Sequence, residues 1–107
     1  MDVKERLQQL ADRMNENPDP IRPLQSVYQL ELDAEILQVR FRSGTVEVVE
    51  GTPYLADCTL TLTTANLMKL LNSELNAMKA FLSGSLKIGG NLSLAMKLQE
   101  VLKQYKK

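Results

Sequence analysis

A chain of 107 residues holds one domain, residues 1–107, and buries roughly two thirds of its unfolded surface, enough for one core and one modest cavity. Thirteen basic and thirteen acidic side chains cancel, and the arginines (Arg6, Arg13, Arg22, Arg40, Arg42) are scattered without interleaved aromatics, so no nucleic-acid partner is expected. The single cysteine, Cys58, permits no disulfide within the chain, which fits a reducing compartment.

No apolar run approaches the length of a membrane span, and the first ten residues lack a signal-peptide core, so a cytoplasmic location is expected. Asp2 with Glu5 makes a start resembling a capping box, and Val3, Leu7, Leu10 and Met14 then recur at helical spacing. That stripe is narrow. Pro18, Pro20 and Pro23 end the helix by Asn17 and predict a mobile connector over residues 15–23.

From Ser26 the period changes to two. Tyr28, Leu30 and Leu32 alternate with Gln29, Glu31 and Asp33, then Leu37, Val39 and Phe41 with Gln38, Arg40 and Arg42. Ser43-Gly44 is a two-residue hairpin turn, followed by Val46 and Val48 around Glu47. After Gly51-Thr52-Pro53, Cys58, Leu60 and Leu62 alternate with Thr59, Thr61 and Thr63. Such alternation predicts a sheet with one packed face and one face for solvent or a partner sheet. Thr64 can cap a helix carrying Leu67, Met68, Leu70 and Leu71, while Leu75, Met78, Phe81 and Leu82 mark the next. The last helix sets Leu94, Leu98, Val101, Leu102 and Tyr105 on one stripe, broadened by Leu92, Ala95 and Met96.

Catalytic chemistry has little to stand on. Without histidine the chain lacks the commonest general base and metal ligand, and no Cys-His pair or zinc site is available. Cys58 falls at an inward strand position, where a cysteine acts as a small hydrophobe. Gly89-Gly90 lacks the spacing of a phosphate loop or dinucleotide fingerprint. Glu31, Asp33, Glu35, Glu47 and Glu50 fall on outward or turn positions, where a solvated face is the plain reading. No enzyme, cofactor or metal is expected.

Residues Met78 to Leu98 are the most informative passage. An apolar helix end (Ala80, Phe81, Leu82) runs into Ser83-Gly84. A strand follows with Leu86 and Ile88 on one face and Lys87 on the other. Gly89-Gly90 breaks it, and Asn91 caps a helix containing Ala95-Met96-Lys97-Leu98. This passage resembles the C-terminal signature of the sterol carrier protein 2 family. The strand Ala56 to Thr63, which delivers the chain into a helix, resembles a second family segment, so the likeness covers about half the chain, from Ala56 onward. Asn72-Ser73 stands where the family often has glycine, and Asn91 where it often has aspartate; both keep turn or capping chemistry. The C-terminal Tyr-Lys-Lys differs from the peroxisomal tripeptide of some relatives.

The resemblance implies an α/β (α+β) fold, a mostly antiparallel five-stranded sheet with helices on one face around an apolar tunnel. It also implies a non-catalytic lipid carrier for fatty acids, fatty acyl-CoA, sterol-like or isoprenoid molecules. Carried onto this chain, the lining would be Phe41, Leu60, Leu67, Leu71, Met78, Phe81, Leu82, Leu86, Ile88, Met96, Leu98, Leu102 and Tyr105. The helical methionines Met14, Met68, Met78 and Met96 fill a core by periodicity alone; with the resemblance they become adaptable cavity lining. The final helix is the expected moving part, and Lys103, Lys106 and Lys107 would give it transient contact with an anionic membrane. The plainer reading is that these lysines complement the helix dipole. The rival to a lipid carrier is a ligand-free module that forms a homodimer or docks an enzyme of lipid metabolism.

Overall fold

The computed structural model describes residues 2–105. Helix α1 (Val3–Glu16) starts where the Asp2 carboxylate accepts the Glu5 backbone N–H at 2.8 Å. It buries Val3, Leu7, Leu10, Ala11 and Met14. The proline segment that follows is not a loose connector. It forms a 3₁₀ turn, Asp19–Ile21, with Ile21 fully buried, and the Asn17 carbonyl accepts the hydroxyl of Tyr105. Prolines that forbid an α-helix also pre-set the backbone of a tight turn, and a buried isoleucine anchors it.

Strands β1 (Ser26–Glu31), β2 (Ile36–Arg42), β3 (Thr45–Glu50), β4 (Cys58–Thr61) and β5 (Lys87–Gly90) make one sheet in the order β3-β2-β1-β4-β5. Every pairing is antiparallel except β1 with β4, which is parallel. Ser43 and Gly44 both take positive φ (52° and 77°), the two-residue turn whose twist suits a hairpin. Helices α2 (Thr64–Leu71), α3 (Ala77–Ser83) and α4 (Leu92–Gln104) complete the chain. The cap of α2 is Thr63, whose hydroxyl accepts the Asn66 N–H at 3.1 Å, not Thr64. Thr64 instead donates its N–H and hydroxyl to Asp33, which holds that carboxyl below its ordinary pKa.

The outer face of the sheet is less bare than alternation suggests. Between β3 and β4 the chain must travel from an edge strand to the far side of β1, and residues 51–57 make that passage. Gln38, an outward residue by alternation, is fully buried beneath them. Its amide donates to the Tyr54 carbonyl at 2.9 Å and its oxygen accepts the Tyr54 N–H at 3.0 Å, as a neighbouring strand would. The Arg40 guanidinium lies 4.4 Å from the centre of the Tyr54 ring. Asp57 then exchanges two hydrogen bonds with the Val27 backbone and sets the register of β4.

The glycines of β5 differ. Gly89 has ordinary space around a would-be Cβ, the nearest atom being 3.7 Å away. Gly90 has φ +81°, and a Cβ there would lie 2.6 Å from the Asp57 carbonyl oxygen. Gly90→Ala is therefore expected to destabilise by about 2 kcal/mol or more, and Gly89→Ala by far less. Urea midpoints of the two variants check this; equal midpoints would contradict it.

Candidate functional site

Between the inner face of the sheet and the helices lies a cavity of about 30 Å³ whose lining is wholly apolar. Helix α1 supplies Leu7, Leu10, Ala11 and Met14; the sheet supplies Leu30, Val39, Phe41, Val46 and Val48. Leu67, Leu70 and Leu71 of α2 and Leu98 and Leu102 of α4 complete it. The strand contributors sit at alternate positions, so each strand turns one side of its pleat inward. Ligand pockets are typically about 300–1,000 Å³. A long tail can enter only if the layers part.

Of the residues implied at sequence level, Phe41, Leu67, Leu71, Leu98 and Leu102 meet around this cavity. Leu60, Leu86 and Tyr105 are buried in the core but outside its lining. Ile88 and Met96 are half-buried and pack against the core, and Phe81 is half-buried. Met78 and Leu82 are corrected: they face outward, 38% and 76% exposed. Helix α3 buries Ala77 and Ala80 instead, because close packing of a seven-residue helix favours its small side chains. Among the helical methionines only Met14 lines the cavity.

Helix α1 is the wall of which the sequence reading named only Met14. Its stripe looked narrow because Ala11, the residue that widens it, carries little hydrophobic signal. Three polar ties fasten it. The Asn15 carboxamide donates to the Val46 carbonyl at 2.9 Å and accepts the Val46 N–H at 2.8 Å. Arg6 donates to the Asn72 side chain at 2.9 Å, and Lys4 pairs with Glu50. Helix α4, the expected moving part, is also fastened. Tyr28 donates its hydroxyl to the Leu94 carbonyl at 2.8 Å, Gln99 accepts the Ala77 N–H, and Tyr105 ties the end to Asn17. Lys106 and Lys107, part of the expected membrane contact, lie outside the described residues.

The chemistry of this interior is that of a solvent. Burial pushes the Tyr28 phenol well above its ordinary pKa, and burial with Asp57 beside it raises the Cys58 thiol, so both stay protonated at neutral pH. Among the described residues no buried side-chain polar atom lacks a partner, and no group of histidine, cysteine and carboxylates is placed to hold a metal. No helix among them is long and apolar enough to cross a membrane. The cavity as it stands is too small for an apolar chain, and its lining offers no reactive group.

A five-stranded sheet with helices on one face and an apolar interior defines a two-layer α+β domain. Residues 7–103 match the SCP-2 sterol transfer family, and the chain belongs to it. It is 31% identical to hydroxysteroid dehydrogenase-like protein 2 of Bos taurus over 95% of this chain and 25% of that protein. It is 40% identical to sterol carrier protein 2 of Bos taurus over 59% of this chain and 12% of that protein. The chain thus spans a quarter or less of these relatives' length. The solution structure of sterol carrier protein domain 2 of Helicoverpa armigera superposes with a TM-score of 0.81 at 25% identity, covering 95% of this chain and 86% of that one.

Proposed function

We propose that this domain binds and shuttles single lipid molecules with long apolar tails, without catalysing a reaction. The ligand class is fatty acids, fatty acyl-CoA, sterol-like or isoprenoid lipids, and the place of action is the cytoplasm. The observation that carries this reading is the all-apolar cavity between sheet and helices, and the family supports it through lipid binding and transfer in general. Each buried methylene contributes about 0.8 kcal/mol. A long tail thus supplies its own affinity, and selectivity among tails stays low.

Native mass spectrometry of freshly purified protein, with solvent extraction of whatever is bound, tests it. A co-purified lipid of defined mass, or uptake of added tails at one per protein, is the expected result. A bare protein that ignores fatty acid, acyl-CoA and isoprenoid quinone overturns it. A second reading, a module that dimerises or docks an enzyme, is favoured by one observation, the outward Met78 and Leu82 on α3. It predicts a concentration-dependent dimer or a partner lost on Leu82→Lys.

A further inference from the structure

The cavity holds no polar group, so a ligand's head must sit elsewhere. We infer that the head is received in the groove between the α2–α3 turn and α4, with Leu70 as the door, and that this groove suits an uncharged, hydroxyl-bearing head. The inference rests on the lipid-carrier reading above.

Leu70 is common to the lining of the cavity and of this neighbouring groove, which measures about 260 Å³. Its rim is polar: Ser73, Glu74 and Asn76 from the turn, Gln99 and Lys103 from α4. A tail in the cavity that passes Leu70 would bring its head among these groups. Phe41 is shared in the same way with a space beside Arg40 and Arg42. Those arginines alternate with Phe41 along β2 and leave the opposite face of the sheet, so a tail on the inner face does not reach them.

The charges in the groove choose the head. Glu74 and Lys103 oppose each other, and Lys103 is also drawn to Glu100 at 3.4 Å. A carboxylate would lose to Glu74 what it gains from Lys103. A hydroxyl or ester head carries no such penalty and can exchange hydrogen bonds with either. Ser73 adds a further pointer. Its φ is +58°, a conformation glycine takes without strain, yet the position carries a serine, and that residue lines this groove.

The test uses the full chain, with 1-hexadecanol and hexadecanoate competing for it in native mass spectrometry at low ionic strength. The wild type is expected to favour the alcohol. Ser73→Gly should weaken the alcohol about three- to tenfold while leaving the melting temperature unchanged or higher. Glu74→Gln should strengthen hexadecanoate about three- to fivefold relative to the alcohol, an effect that fades in high salt. Tails that bind the wild type with a ratio neither variant moves would overturn the groove and leave the carrier reading standing. Failure of the wild type to bind either tail would overturn both. A Ser73→Gly variant less stable than wild type would instead make the serine structural.

Discussion

Replacing Ala11 with leucine is expected to weaken lipid binding by roughly 50-fold. Ala11 is 2% exposed and forms part of the α1 wall of the cavity. Leucine adds about three carbons to space that a tail would otherwise occupy, at about 0.8 kcal/mol each, or about 2.4 kcal/mol in all. Overpacking costs the fold about 1–3 kcal/mol, so the variant should melt earlier but still fold. Leu82→Ala is the control, since that side chain is 76% exposed and outside the cavity. Titration with 1-hexadecanol followed by native mass spectrometry reads both. An Ala11→Leu protein that binds as well as wild type would place the ligand outside this cavity.

Asn15→Ala is expected to loosen the same wall by a different route. The Asn15 carboxamide meets both the N–H and the carbonyl of Val46 on the open edge of β3, so one side chain fastens α1 and blunts a strand edge. Its loss removes two hydrogen bonds at about 0.5–1.5 kcal/mol each, against which alanine returns a few tenths as a better helix former. A net loss of about 1–2 kcal/mol lowers the melting temperature by roughly 4–12 °C for a domain of this size. If α1 is the wall that swings, tail transfer to acceptor vesicles should quicken several-fold. A lower melting temperature with unchanged transfer would show that α1 stays shut and another element opens.

The two-layer plan was legible because alternation and helical stripes each report which face is buried, and Tyr28, Leu30, Val39, Phe41, Cys58 and Leu60 all turned inward as their period required. Gln38 was not legible. Its burial depends on the passing loop, and nothing local to β2 says which segment will lie across it. The parallel neighbour of β1 was hidden for the same reason, since strand order is a matter of long-range pairing. In α3 the stripe Met78, Phe81, Leu82 and the stripe Ala77, Ala80 compete, and hydrophobicity favours the wrong one when packing space is short. Most of the cavity wall is of the kind that sheet alternation and the α2 and α4 leucines report; Leu7, Leu10 and Ala11 of α1 needed the observation that this helix lies against β3.

The passage of residues 51–57 across the sheet also bears on how the chain is made. Strands β1, β2 and β3 form consecutive hairpins, so they can pair from local sequence alone as soon as they are synthesised. The other side of β1 then stands open until β4 arrives, about 30 residues later in the chain, and Asp57 seals it by taking both polar groups of Val27. Until then a half-made sheet shows an apolar face and an unpaired strand, the two surfaces most prone to stick to another copy. The yield of folded protein is therefore expected to depend on how that docking step competes with self-association. Slower synthesis after residue 50 prolongs the exposed state and is expected to lower the yield of folded protein without altering the finished molecule.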